Sequence, residues 1–254
     1  MAEAPASSAA TRPNMPLFYS RIEALHPERH ANLAIKADGN YAFARRANSV
    51  PINAIEFGMA SRNYPIVFST DARGVPVAVL GLQAGENLFV DANGQWEPGQ
   101  YIPAYVRRYP FIALAPKESR DYALCVDAGA PLLEEGGERK LFVDRQPTEL
   151  TKKALEFCHT FQTQIDATRL FVEALENHDL LVARAAKVNL QSGQNRSLTG
   201  FRLIDERKFN ALPDDVFLDW RKRGWIGLIY AHLASQSCWS HLVERVAKHG
   251  AAAA

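Results

Sequence analysis

The sequence has few cysteines, and their spacing excludes a disulfide framework. Only three occur among the 254 residues, Cys125, Cys158 and Cys238, and none forms a CxxC pair. An odd number of widely spaced cysteines is typical neither of a disulfide-stapled secreted domain nor of a zinc site. We therefore predict free thiols in a reducing compartment. Cys158 falls on an apolar helical stripe, so we expect it to be buried and inert.

The chain also lacks an excess of charge and a long hydrophobic run. Twenty-nine basic residues against twenty-eight acidic residues leave a net charge of +1. A charge near zero gives no general attraction to nucleic acid or to an anionic membrane. The most apolar stretch, 225–239, contains His232 and Gln236 and is shorter than the roughly 20 apolar residues that cross a bilayer. We therefore expect no nucleic-acid partner and no membrane span.

The N-terminal residues lack the features of a secretory signal. Residues 1–14 are rich in Ala, Ser and Pro, but they contain no apolar run of the about 7 to 15 residues that a signal peptide needs. We therefore predict a disordered tail over residues 1–16. The expected location of the protein is cytoplasmic.

Sequence motifs of the common catalytic and nucleotide-binding sites are missing. The chain has no Gly-x-Ser-x-Gly elbow, no Gly-x-Gly-x-x-Gly turn and no P-loop. His26 and His30 have the spacing of two metal ligands on a helix, but Pro27 stands where a zincin has glutamate. A helix that starts at Pro27 explains this segment equally well. We predict no catalytic residues, no metal and no cofactor, and we leave enzymatic activity open.

Hydrophobic patterns divide the chain into a β-rich half, about 49–146, and a helical half, about 147–249. Short apolar runs between Gly, Pro and Asp predict strands, and apolar residues at steps of three and four predict helices. The predicted strands are 64–69, 75–82, 86–90, 111–114, 122–126 and 140–143. The predicted helices are 52–62, 147–177, 206–212, 213–223 and 225–248, and a hairpin is predicted over 186–191 and 197–204.

The strand segments indicate how the two halves pack. Three of them are almost continuously apolar, which is typical of a sheet covered on both faces. The helical half would provide that cover, so we predict a single compact α+β domain over residues 17–249. In it, a mainly antiparallel sheet packs against a long helix and C-terminal helices. Two separable domains are the alternative.

The helix predicted at 225–239 has bulky residues on more than one side, including Trp225, Ile229 and Trp239. A helix that is apolar on several sides is usually buried in a core or at an oligomer contact. We therefore expect this helix to be largely buried, and any self-association to use it. The sequence does not specify the oligomeric state.

Segment 96–110 carries the side chains best suited to recognition. It combines one tryptophan, three tyrosines at steps of four and two adjacent arginines. Aromatic rings beside guanidinium groups stack on ligand rings or hold carboxylate and phosphate groups. A small aromatic or anionic ligand, or a protein partner, is predicted to contact Trp96, Tyr101, Tyr105, Arg107, Arg108 and Tyr109. In the structural alternative, the tyrosines anchor a lid onto the sheet and the arginines stabilise the end of a short helix.

Five blocks of the sequence resemble the bacterial SapC-like family. They are 64–68, 85–90, 96–111, 198–205 and 223–233, and the similarity extends over about 17–249. The names given to the family connect it with surface layers and with peptide transport. A permease function does not fit this chain, because a permease needs several membrane spans. The resemblance supplies no catalytic residues.

The resemblance also implies a function and a partner. Members of the family are often encoded near flavin-dependent tryptophan halogenase-like proteins, so a flavin-dependent halogenase-like protein is one implied partner. A non-catalytic accessory role in handling an amino acid, a peptide or a glycan follows by analogy. An enzyme that acts on a peptide or amino-acid derivative, and a surface-layer assembly component, are the alternatives.

Overall fold

The first half of the chain alternates short strands with turns, and the second half carries the long helices. The computed structural model describes residues 15–71, 73–115, 122–189 and 195–252. Within these ranges the strands are β1 (Ile22–Ala24), β2 (Leu33–Ile35), β3 (Ser49–Pro51), β4 (Ile66–Ser69), β5 (Pro76–Val79), β6 (Phe111–Leu114), β7 (Ala123–Asp127), β8 (Leu133–Glu135), β9 (Phe142–Val143), β10 (Gln146–Pro147), β11 (Leu181–Asn189) and β12 (Asn195–Ile204). The helices are α1 (Phe57–Ala60), α2 (Ala104–Arg107), α3 (Glu149–Asn177), α4 (Glu206–Asn210), α5 (Asp214–Lys222), α6 (Trp225–Ser235) and α7 (Cys238–Ala252). The predicted α+β class is confirmed.

The largest sheet combines strands from both halves of the chain. Its five strands lie in the order β11, β12, β4, β5, β3, and each neighbouring pair is antiparallel. The predicted hairpin is therefore confirmed as β11 and β12, and β12 pairs with β4 from the β-rich half. Residues 190–194, which include most of the predicted turn, lie outside the described residues.

Both faces of β4 are covered. Ile66, Val67 and Phe68 are all buried, as the continuous apolar run predicts. The ring of Phe57 in α1 contacts Phe68 and Phe171, with centroids 6.3 and 6.2 Å apart. These rings connect the large sheet to α3.

The helix predicted at 147–177 is confirmed as α3, which has 29 residues and a length of about 44 Å at 1.5 Å per residue. It begins after Thr148, whose side chain accepts a hydrogen bond from the Thr151 N–H. Cys158 packs into the apolar cluster of a second sheet, β1–β7–β6. Further along the helix, Phe171 packs into the main core. The helix thus contacts both sheets.

The predicted strand at 86–90 is wrong. Leu88 and Phe89 lie in a turn, and only Val90 forms an isolated bridge, to Trp96. The side chain of Asn87 explains this, because its Oδ1 accepts the Phe89 N–H at 2.9 Å and its Nδ2 donates to a distant backbone carbonyl. Asn side chains that bond nearby backbone compete with strand pairing in this way.

The single helix predicted at 225–248 is two helices, α6 and α7, which break at Gln236 and Ser237. The carbonyl of His232 accepts hydrogen bonds from Ser235 Oγ at 2.6 Å and from Gln236 Nε2 at 3.1 Å. These side chains replace the backbone N–H that would continue the helix. Ser235 Oγ also accepts the Ile66 N–H at 3.0 Å, so the break is fixed against β4.

The α6 helix is less buried than predicted. Ile229, His232 and Ser235 form a buried stripe, whereas Gly227 is exposed and Tyr230 is 52% exposed. One face of α6 therefore meets the core. The helix predicted at 52–62 is also shorter, a 3₁₀ turn at Ala54–Glu56 followed by the four residues of α1.

Candidate functional site

Segment 96–110 packs against α3, and most of its predicted binding residues are buried. Pro103 directly precedes α2, and the helix ends before Pro110. Trp96, Tyr105, Arg108 and Tyr109 are buried, Tyr101 is half-buried and Arg107 is exposed. The structure therefore leaves few of these side chains open to solvent.

The three tyrosines of this segment use their hydroxyl groups inside the protein. The hydroxyls of Tyr101, Tyr105 and Tyr109 donate to Glu56 Oε1, Leu17 O and Asp127 Oδ2 over 2.9, 3.1 and 3.0 Å. Desolvation raises the pKa of Tyr101 to about 12 and also raises the pKa values of Tyr105 and Tyr109. All three phenols therefore stay protonated near neutral pH. These contacts agree with the structural alternative, in which the tyrosines anchor the segment. A binding role for the tyrosines stays a prediction.

Asp127 is a buried carboxylate that the sequence did not single out. Its oxygens accept hydrogen bonds from Ser20, Arg21, Gly129 and Tyr109. Desolvation would raise the pKa of Asp127, but these hydrogen bonds outweigh it and hold the pKa below its ordinary value. The ionised carboxylate fixes the chain near Ser20 against β7.

The two adjacent arginines have different surroundings. Arg107 is exposed, donates from Nε to the Ile102 carbonyl at 3.0 Å, and lies over the ring of Phe157. Arg108 is only 7% exposed and points among aromatic rings. The first arginine therefore faces solvent, and the second is part of the interior.

A cavity of about 540 Å³ opens between residues 88–98 and α7. The buried rings of Phe89 and Trp96 line its floor, stacked with centroids 6.4 Å apart and planes 18° apart. His241 and charged side chains of both signs also line it; the charged ones are Asp91, Glu97, Glu244, Arg245 and Lys248. Of the predicted binding residues, Trp96 is the one that borders this cavity.

Polar contacts hold the walls of the cavity in place. Arg245 of α7 forms an ion pair with Glu97 and lies 4.3 Å above the ring centroid of Phe89. The indole N–H of Trp96 donates to the Tyr64 hydroxyl at 3.1 Å, so the polar atom of this ring is already bonded. Trp96 and Phe89 are only 6% and 2% exposed, so the two rings form a buried apolar part of the lining.

His26 directly precedes a turn and His30 lies in it, so the pair is not on a helix and the helix suggested to start at Pro27 does not form. The backbone N–H of His26 donates to His30 Nδ1 at 3.0 Å, and that of Glu28 donates to His26 Nδ1 at 3.3 Å. One nitrogen of each imidazole is thus occupied. In the ranges that the structure covers, no group of three or more His, Cys, Asp or Glu side chains is placed to hold a metal ion.

The three cysteines are free and buried. Desolvation raises the pKa of Cys158 to about 11 and also raises the pKa values of Cys125 and Cys238. The thiolate is the reactive form of cysteine. These thiols are therefore poor nucleophiles, as predicted for Cys158.

None of the helices within the described residues combines the length and the apolar character that a membrane span needs. The longest one, α3, has a hydrophobic side and a charged side that faces solvent.

Comparison with known proteins identifies the family. A sequence profile of the SapC family matches residues 25–242, which is most of the chain. The chain therefore belongs to the SapC family, and the resemblance of the five sequence blocks is confirmed. Searches of curated proteins and of solved structures gave no significant match.

Proposed function

We propose that this member of the SapC family is a non-catalytic accessory protein that binds a small ligand in the cavity between residues 88–98 and α7. The observation that carries the proposal is the cavity itself, with aromatic rings on its floor and charges around them. Its volume of about 540 Å³ lies in the range of small-molecule sites, roughly 300 to 1,000 Å³.

The lining indicates the chemistry of the ligand. Phe89 and Trp96 make part of the lining apolar, which favours an aromatic or flat apolar body. Lys248 and His241 lie on the α7 side of the cavity, and Lys248 forms no ion pair with any residue in the described ranges. Arg245 is paired with Glu97, so Lys248 is the lining cation left to contact an anionic group on the ligand, beside the carboxylates of Asp91 and Glu244. We therefore propose a small aromatic anion.

The titration states of the buried thiols and of Tyr64 support binding over catalysis. Burial raises the pKa values of the cysteine thiols and of Tyr64, so they stay protonated at neutral pH. General acid–base catalysis works best with a group whose pKa lies near the operating pH. The proposal includes a cytoplasmic role in handling an amino acid, a peptide or a glycan. A protein partner such as a flavin-dependent halogenase-like protein would then receive or supply the ligand.

A titration with 1-anilinonaphthalene-8-sulfonate, a fluorescent aromatic anion, tests the proposed function. We expect saturable binding to the wild type and a dissociation constant at least tenfold larger for Lys248→Glu, which reverses the charge at the cavity. Lys222→Glu makes the same charge change on the exposed surface of α5 and should bind like the wild type. Equal binding by both variants, or no saturable binding, would contradict the proposal.

A further inference from the structure

Arg108 is a buried cation with no anionic partner. Its side chain lies 4.2 Å from the ring centroid of Tyr105, 4.5 Å from that of Phe161 and 5.6 Å from that of Tyr19. Its Nε is enclosed and has no hydrogen-bond partner. Arg108 forms no ion pair with the carboxylates of the residues that the structure describes. We call the surroundings of Arg108 formed by these three rings the Arg108 chamber.

Aromatic rings satisfy this guanidinium only in part. Ring faces attract a cation, but they do not accept an in-plane hydrogen bond such as the one that the Arg108 Nε–H could donate. An arginine cannot escape burial by losing its proton, because its pKa is above 12. Buried charges in proteins are normally paired with an opposite charge or a bound ion. The Arg108 chamber has a positive charge without such a partner.

The other polar groups of the chamber are neutral. The Tyr19 hydroxyl donates to the Phe111 carbonyl at 2.6 Å, and the Tyr105 hydroxyl donates to the Leu17 carbonyl. Cys158 is close enough to Arg108 for the two charges to interact, but burial raises the pKa of its thiol, which stays protonated. The chamber therefore contains one positive charge and no negative charge.

A short segment of chain, residues 15–20, covers the chamber, and we call it the N-terminal strap. Ser20 at its end is fixed by Asp127, whereas the hydrogen bond from Tyr105 to Leu17 connects its middle to α2. Phe18 has a φ of 79°, a backbone conformation that is unfavourable for a residue with a side chain. A ligand can reach Arg108 only if the strap moves, and this movement would separate the rings of Phe18 and Tyr19 from the Tyr109 ring that they contact.

We infer that Arg108 binds a small oxyanion, a carboxylate or a phosphate group, beneath the N-terminal strap. The planar fork of a guanidinium matches two oxygens of either group. The chamber lies at α2 and α3, and the cavity beside Trp96 is lined by other residues. A failure of the proposed function would therefore not contradict this inference, and a failure of this inference would not contradict the proposed function.

Calorimetric titration of the full chain with inorganic phosphate and with acetate, at constant ionic strength in chloride, tests the inference. We expect saturable one-to-one binding of at least one anion, and a dissociation constant at least tenfold larger for Arg108→Met, which keeps the length of the side chain without its charge. Arg221→Met removes an exposed arginine of α5 and should bind like the wild type. Binding of acetate alone identifies a carboxylate site, and binding of phosphate alone identifies a phosphate site.

Arg108→Lys provides a second test that does not depend on the folding of the methionine variant. It keeps the positive charge but not the planar fork, so we expect at least threefold weaker binding of the same anion. Circular dichroism establishes that each variant is folded. Affinity equal to that of the wild type in a folded Arg108 variant, or no saturable binding to the wild type, would overturn the inference.

Discussion

His232 lies in the core of the protein without a hydrogen bond to either ring nitrogen. It is fully buried, and its neighbours include the ring of Phe68, 5.3 Å away between centroids. Desolvation lowers the pKa of His232 to about 3, so the imidazole is neutral near pH 7. Two unpaired polar atoms in an apolar site destabilise a fold.

His232→Leu should therefore stabilise the protein by about 1 to 3 kcal/mol, because leucine has a similar volume and no polar atoms. Denaturant unfolding at pH 7 measures the change. His159→Leu makes the same substitution on the exposed side of α3 and should change stability by less than about 0.5 kcal/mol. A loss of more than about 1 kcal/mol in His232→Leu would show that the imidazole has a partner.

The same variant should change the pH dependence of stability. The pKa of His232 falls from 6.5 in the unfolded chain to about 3 in the fold. Between these values the unfolded state binds more protons, so wild-type stability should fall as the pH drops below about 6.5. His232→Leu should lose less stability over this range. Parallel curves for the two proteins would be inconsistent with a buried neutral imidazole.

The tyrosines show how far the sequence could predict single residues. Their number and spacing in segment 96–110 indicated an aromatic surface, but of the three only Tyr105 lies within α2, and the three hydroxyls bond different partners. Their burial depends on residues far away in the chain, such as Leu17, which accepts from Tyr105 across 88 positions. No local pattern contains that information. The sequence therefore predicted the composition of this segment but not its exposure.

At the scale of elements, a helix was predicted correctly where its hydrophobic periodicity and its cap lie in its own sequence. The periodicity of α3 and its Thr148 cap lie within the helix and its immediate flank, and the predicted bounds differ from the observed ones by two residues at the N-terminal end. The helix predicted at 206–212 is α4, and Asp205 directly before it accepts the N–H groups of Arg207 and Lys208.

Elements were mispredicted where a distant contact decides the structure. The break between α6 and α7 depends on Ser235, whose hydroxyl bonds both its own helix and β4 across 169 positions. The turn at Leu88 depends on Asn87, which reaches back to the Ala44 carbonyl. Apolar periodicity continues through both places, so the pattern predicted a longer helix and an additional strand.

At the scale of the whole molecule, the large sheet determines which parts of the chain can fold alone. Its central strand, β4, pairs with β5 from the β-rich half and with β12 from the helical half. We propose that residues 17–249 form one folding unit on this basis. Of the predicted tail, 1–16, only Met15 and Pro16 lie within the described residues.

A fragment of residues 49–146, expressed alone, should aggregate or show no cooperative thermal unfolding. It retains β3, β4 and β5 but loses β12 and α3, which leaves the apolar face of β4 exposed. Circular dichroism melting of the fragment beside the full chain provides the comparison. A soluble fragment with a cooperative transition would favour two separable domains.

The cavity is also a property of the whole molecule. Glu97 and Arg245 meet across 148 positions of sequence, and each belongs to a segment with no ligand motif of its own. The charges of α7 recur at steps of three and four, a pattern equally typical of a solvated helix face. Only their placement opposite Phe89 and Trp96 makes them part of a site.

The most direct test of ligand binding beside Trp96 is indole ¹⁵N NMR of the full chain during titration with 1-anilinonaphthalene-8-sulfonate. The chain has four tryptophans, Trp96, Trp220, Trp225 and Trp239, and the Trp96 signal can be assigned by its loss in Trp96→Phe. We expect the Trp96 signal to shift saturably, while those of Trp220 and Trp225 stay unchanged because these rings pack against each other outside the cavity lining. An unmoved Trp96 signal, or larger shifts at Trp220 and Trp225, would contradict a ligand site in this cavity.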